Sequence, residues 1–269
     1  MPYAEFAVIG GSGFYALIDG EGAERVAVET PYGEPSDTVA LGFVAGRMVA
    51  FLPRHGSGHT VPPHRINYRA NLWALASLGV TRVIAPCAAG SLRAEVDRGD
   101  VVVCDQVIDR TRGQRHDTFF DGPEVAHLSA PSPYCAELSA AAATACTQAG
   151  LHTHHGGTVL VIEGPRFATV AESREFARTG AHIINMTQYP EVVLAQELGM
   201  CYAGLGLVTD HDAGVDRDQP SQAVTQEEVL RVFAANLETL RAAIIRLIAA
   251  LPATRGCDCA ARRPQTIRH

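Results

Sequence analysis

Thr209-Asp210-His211-Asp212 sets two carboxylates directly behind the apolar run 205–208. Neighbouring carboxylates raise one another's pKa, so that one can keep its proton and donate it to a leaving group. The plainer reading is that one Asp merely caps a turn or helix. Arg54-His55 follows the apolar run 48–52, with His59 and His64 close by. A guanidinium at a strand end offers forked donors suited to phosphate, and a solvated loop is the alternative. No carboxylate or thiol shares the spacing of these histidines, so they make no metal site. Gly10-Gly11-Ser12-Gly13 follows another apolar run and either presents Ser12 to an anion or is a plain tight turn. The stretch from Gly11 to Ala16 fits G-x-G-x-x-A, with Glu29 about 20 residues on as in dinucleotide-binding folds. That reading fails because Leu17-Ile18-Asp19-Gly20-Glu21-Gly22 breaks where the fingerprint needs a helix.

Further along, Glu163-Gly164-Pro165-Arg166-Phe167 and Asn185-Met186-Thr187 bring an aromatic, a thioether and a hydroxyl to strand ends. Phe167 and Met186 are either ordinary core or the wall of a sugar or base pocket. The organising stretch is Val83 to Leu92, an apolar run ending in small residues. It reads as a buried parallel strand opening at Cys87-Ala88-Ala89-Gly90-Ser91 into a tight loop where a backbone can approach a ligand. Ligands of open α/β sheets bind beyond the carboxyl ends of the strands, so the segments above should converge on it.

The elements that must position these residues are strands over 5–9, 37–43, 47–52, 83–86, 101–108, 157–162, 181–186 and 201–208, with Ala45-Gly46 turning a hairpin. Helices are expected over 67–78, 134–149, 170–179, 191–198 and 225–251. Their alternation predicts a mixed, mostly parallel sheet covered by helices. Residues 109–133 show no period and read as a long functional loop. His152, His154 and His155 read as a solvated surface turn. Residues 1–252 are expected to form one domain and 253–269 a mobile tail.

With 269 residues and 47% apolar content, the chain can bury a substantial core. A net charge of −7 argues against nucleic acid or an anionic membrane as partner. The acidic N-terminus and the absence of an apolar run of about 18 residues predict a cytoplasmic protein. Seven cysteines, at 87, 104, 135, 146, 201, 257 and 259, form no CxxC pair. Cys257-Asp258-Cys259 reads as an exposed, reduced pair rather than a disulfide or metal site.

Across about residues 5 to 250 the chain resembles the 5′-methylthioadenosine phosphorylases within the trimeric purine nucleoside phosphorylase family. The resemblance rests on Ile9-Gly10-Gly11-Ser12-Gly13, Arg54-His55-Gly56, Asn67-Tyr68-Arg69-Ala70-Asn71, Ala88-Ala89-Gly90-Ser91-Leu92, Glu163-Gly164-Pro165-Arg166-Phe167, Asn185-Met186-Thr187 and Pro190-Glu191-Val192-Val193-Leu194-Ala195. It implies a single-domain, three-layer α/β phosphorylase/hydrolase-like fold and the phosphorolysis of purine nucleosides. No cofactor and no metal are implied, inorganic phosphate being a co-substrate. Carried over by position, Ser12, Arg54, His55, Cys87, Ala88 and Thr187 would hold phosphate. Met186 would lie against the ribose and Phe167 near base and sugar. Asp210 would serve as the acid at purine N7, and Asp212 would take the exocyclic amine. His59 would border the 5′ end of the sugar together with His127 from a neighbouring subunit, which implies a homotrimer, single or paired into a hexamer.

Three positions depart from or tune the pattern. Cys87 replaces the usual Thr and exchanges a hydroxyl for a weak thiol donor. Ala168 stands where enzymes for 6-oxopurines carry Glu and, with Asp210 in place of Asn, favours a 6-aminopurine. Gln226 stands where methylthioadenosine enzymes have an apolar residue and ordinary purine nucleoside phosphorylases a His, so the 5′ side stays open between methylthio and hydroxyl. The leading expectation is 5′-methylthioadenosine, with adenosine or other 5′-hydroxyl nucleosides next. A hydrolytic nucleosidase and a non-catalytic nucleoside-binding protein are the more distant readings.

Overall fold

The computed structural model describes residues 4–11, 14, 23–113, 115–215 and 224–266. Its strands are β1 (Phe6–Gly10), β2 (Glu24–Val26), β3 (Val39–Val44), β4 (Arg47–Pro53), β5 (Arg82–Ser91), β6 (Val101–Val103), β7 (Gln106–Arg110), β8 (Thr153–His155), β9 (Thr158–Ile162), β10 (Ile183–Asn185) and β11 (Cys201–His211). The helices are α1 (Tyr68–Ser77), α2 (Ala136–Gln148), α3 (Val170–Arg178), α4 (Gln188–Glu197) and α5 (Gln226–Ala250). Helix starts are written in the sequence. Asn67 accepts from the Ala70 N–H, Thr169 and Glu172 close a reciprocal capping box, and Thr225 accepts from the Glu228 N–H.

One sheet runs β2-β3-β4-β1-β5-β10-β9-β7, and β11 joins it beside β5, carrying β6 and then β8. Pairings within β1, β4, β5 and β11 are parallel, whereas β10 meets the end of β5 antiparallel. The sheet is therefore mixed and mostly parallel, as expected. Side-chain alternation builds the layers: Ala7 and Ile9 of β1 pack with α1 and α4, while Phe6 and Val8 pack with α2 and α5. A smaller third cluster seats Phe176 of α3 on Leu160 and Ile184. Ala45 and Gly46 both have positive φ, which makes the β3–β4 connection the tight hairpin turn its sequence suggests.

Four expectations change. Residues 87–91 do not form a loop: β5 stays extended to Ser91, with Cys87 opposite Gly206 and Gly90 opposite Asp210 of β11. The strand expected over 101–108 divides at Cys104-Asp105, where their N–H groups bond Gly204 and Gly157, so β6 pairs with β11 and β7 with β9. Residues 152–155 are not a free turn. Thr153–His155 form strand β8, paired with β6, and His154 bonds Asp100 at 2.8 Å. The expected mobile tail lies against the body: Arg255 reaches the Gly199 carbonyl, Arg262 reaches that of Ser132, and Cys259 is buried.

Candidate active site

The carboxyl ends of β1, β4, β5, β10 and β11 and the start of α5 enclose a cavity of about 480 Å³. Arg54, His55, His59, Cys87, Ala88, Phe167, Ala168, Met186, Thr187, Asp210, Asp212 and Gln226 all line it. The convergence expected from the sequence is thus observed for these positions. Ser12 lies outside the described residues, although its neighbour Gly11 reaches the cavity. His127 is exposed and is not among the lining residues.

At one end of the cavity β11 carries a bulge, with the pairing to β5 shifting between Val208 and Asp210. Bulges of this kind re-aim side chains beside active sites. Here Asp210 and Asp212 both enter the cavity while remaining buried. Thr209 donates to Asp210 Oδ1 at 2.7 Å, and burial still raises the Asp210 pKa. Burial, opposed by the Ser173 hydroxyl and aided by the charge of Asp210, pushes Asp212 up to about 6, and among the described residues its Oδ2 has no hydrogen-bond partner. Gly90 makes this arrangement possible, because a Cβ there would stand 3.0 Å from Asp210 Oδ2 and 3.1 Å from Ile184 Cγ2. The small residues of β5 accordingly give room to a carboxylate, not to a ligand-hugging loop.

On the opposite side stands the candidate anion set. His55 shares its Nδ1 with the Val61 carbonyl at 2.9 Å, which makes that nitrogen the donor and leaves Nε2 as an acceptor. Burial, aided by the adjoining Arg54 charge, lowers its pKa to about 4, so the ring is neutral at pH 7 and stacks on His59 at 4.4 Å. Thr187 precedes α4 without spending its side chain as a cap. Arg54 is turned differently from the expected fork on phosphate. Its Nε and Nη2 grip the two oxygens of Glu191 at 2.5 and 3.0 Å, and carbonyls of Ile9 and Pro86 take two further N–H groups. Among the described residues one of its five N–H groups has no partner, and the guanidinium lies in the cavity wall as half of a buried ion pair with Glu191.

Beneath lies a polar layer that sequence reasoning did not assign. Tyr202 donates to Glu191 at 2.9 Å, and Tyr134 donates to Gln188 at 2.5 Å. The Asn185 and Gln188 amides donate to the Cys87 sulfur at 3.2 and 3.4 Å, while its thiol points to the Leu205 carbonyl. Glu191 stands in a stretch singled out for resemblance, but nothing in its local spacing reveals a partner 137 residues away. Gln188 fits only because Gly204 leaves the space it fills.

The remaining mouth is apolar. Gln226, Val229, Leu230 and Phe233 share one face of α5 at helical spacing and meet Phe167, Pro62 and Pro63 across the opening. Gln226 is therefore one amide among apolar neighbours. Met186 packs beside Gly164, where any side chain would collide with its sulfur.

Residues 5–249 match the family model of the phosphorylase superfamily. The chain is 52% identical to a purine nucleoside phosphorylase of Streptomyces coelicolor, covering 96% of this chain and 94% of that one. It is 49% identical to an S-methyl-5′-thioadenosine phosphorylase of Mycolicibacterium smegmatis, covering 93% and 92%. Among solved structures, methylthioadenosine phosphorylase from Schistosoma mansoni in complex with adenine superposes with a TM-score of 0.88 at 33% identity, covering 97% and 96%.

Proposed function

Because the chain belongs to the phosphorylase superfamily, among its methylthioadenosine and purine nucleoside phosphorylases, we propose that it phosphorolyses 6-aminopurine nucleosides, with 5′-methylthioadenosine as the leading substrate. The observation that carries this reading is the pair Asp210 and Asp212, buried together at the bulged end of β11 and lining one cavity with His55, Thr187 and Arg54.

In this reading phosphate lies by Thr187, His55 and the β5 floor at Ala88, Arg54 offers it its remaining N–H, and Ser12 is a further contact implied by the resemblance. The neutral His55 accepts a hydrogen bond from a phosphate O–H at Nε2. As the C1′–N9 bond opens, its electron pair moves onto the purine and the sugar becomes oxocarbenium-like. Phosphate oxygen then bonds to C1′, and Asp210 gives its proton to N7, so that adenine departs neutral. Burial moves the Asp210 pKa in the direction that favours its holding a proton. The unpartnered oxygen of Asp212 supports acceptance of the 6-amino hydrogen. No other cofactor enters the scheme. The Val229, Leu230 and Phe233 face favours a methylthio group at the 5′ end. The amide of Gln226 on that face favours a 5′-hydroxyl, which keeps adenosine as a second substrate.

Measuring kcat/KM for methylthioadenosine, adenosine and inosine, with and without phosphate, tests this. The expected order is methylthioadenosine, adenosine, inosine. A preference for inosine would overturn the roles of Asp212 and Ala168. Adenine released without phosphate would point to hydrolysis, and ligand binding with no adenine released would point to a binding protein.

The same reading makes the enzyme a homotrimer acting in purine salvage in the cytoplasm, with His127 of one subunit bordering the 5′ pocket of the next. Among the described residues no helix is long and apolar enough to cross a membrane.

A further inference from the structure

Cys201 opens β11 and Asp210 lies near its other end, so about 30 Å of strand separates the site above from a second group of reactive side chains. Cys135 immediately before α2, Cys201, and Cys257 and Cys259 from the C-terminal segment place their four sulfurs within 4.8 Å of one another. We propose that these four cysteines bind a single zinc ion that fastens the C-terminal segment to the body of the protein.

Three observations carry this. First, the spacing suits a shared ion. Zinc–thiolate bonds of about 2.3 Å in a tetrahedron set every sulfur roughly 3.8 Å from the others, whereas two disulfides need two separations of about 2 Å. The Cys201 and Cys257 sulfurs stand 3.3 Å apart, and all four cysteines are free thiols. Second, the surroundings suit thiolates. Cys135 occupies the N-cap of α2, a position that favours oxygen side chains, and its sulfur accepts the Leu138 N–H at 3.5 Å. Third, cations stand where a zinc tetrathiolate, with its net charge of about −2, needs them. Arg255 places Nη1 4.0 Å from the Cys201 sulfur, and Arg262 is anchored beside the tail pair on Asp258 and the Ser132 carbonyl. Asp258, between the two tail cysteines, points away to Arg262. The tail pair is thus not the exposed pair its sequence suggests, and spacing alone hides the site because its ligands come from three distant segments.

Zinc binding would release the remaining thiol protons to solvent, with no change of oxidation state. The test uses the full chain, prepared without a metal-affinity step and kept in a phosphine reductant. Elemental analysis should find about one zinc per chain, as for a closed four-thiolate site. A mercurial should release that zinc, and cobalt should replace it with the visible spectrum of a tetrahedral tetrathiolate. Limited proteolysis should cut after residue 252 only once the metal is removed. Cys257→Ser combined with Cys259→Ser should lose the zinc yet keep phosphorolysis within a few-fold, since the reaction site lies at the far end of β11. Metal-free wild-type protein that takes up neither zinc nor cobalt would overturn the proposal. A native mass four hydrogens below the reduced value would overturn it as well, in favour of two disulfides.

Discussion

Asp210 and Asp212 share one strand end, one cavity and one direction of pKa shift, yet their surroundings divide the work. Thr209 already donates to Asp210, whereas among the described residues one oxygen of Asp212 has no hydrogen-bond partner. Asp210→Ala should therefore lower kcat on every nucleoside by about 10²- to 10⁴-fold, the range of a lost general acid. Asp212→Ala should cost about 10- to 100-fold on 6-amino substrates, and only a few-fold on a purine nucleoside without that amine. Equal losses on the latter substrate would remove the assignment of Asp210 as the acid. Stability gives an independent reading of Asp212. Its carboxyl titrates near 3.8 when solvated and at about 6 in the fold. Between those values the folded state holds more protons than the unfolded one, so stability falls as pH rises from about 4 to about 6 and then levels. Asp212→Asn should abolish that limb and gain on the order of 2–3 kcal/mol at pH 7, read as urea midpoints across the pH series. An unchanged slope would place the raised pKa elsewhere.

At the scale of elements, the site is a consequence of how β5 and β11 run side by side. Their long parallel pairing is closed by the bulge at Thr209, and the opposing glycine gives Asp210 its room. Gly90→Ala should displace that carboxylate and lower kcat/KM more than tenfold. The fold should lose only about 1–3 kcal/mol, the usual cost of overfilling a packed site. Thermal unfolding measured beside the kinetics separates the two, and a variant as active as the parent would show that Asp210 does not depend on this contact. The helices, the β3–β4 hairpin and the clustering of Arg54, His55, Met186, Thr187, Asp210 and Asp212 were legible in the sequence. Apolar periods, caps and strand-end polar residues are local signals. Strands β2 and β8, only three residues each, carry too short a pattern to read. Small residues after Val83 suggested a loop because spacing cannot tell a turn from a strand that makes room for a neighbour's side chain. The ion pair of Arg54 with Glu191 and the bonding of Gln188 to Cys87 are contacts between segments far apart in the chain, which no local pattern encodes.

At the scale of the whole molecule, one chain leaves the cavity mouth uncovered. Phe167 and Leu230 at its rim are 36% and 53% exposed, and Val125, two residues before His127, is 48% exposed. Exposed apolar groups around a polar site mark a surface that another molecule covers. A second copy of this chain would do so if residues 121–131 of one subunit lay over the mouth of the next, placing His127 at the 5′ end of the sugar. In a closed ring each site would then be shared by two subunits. Sedimentation should therefore show a trimer or a pair of trimers, and Val125→Asp should shift it towards monomers with a raised KM for nucleoside. Complementation is the sharper test. Asp210→Asn and His127→Ala each damage every site in a uniform oligomer. When the two variants are unfolded and refolded together, some sites combine an intact Asp210 from one subunit with an intact His127 from its neighbour. Activity at subsaturating nucleoside should then exceed the mean of the two variants refolded apart. If each site were completed within one chain, mixing would create no intact site and the activities would only average, which would leave His127 without a part in the neighbouring subunit's site.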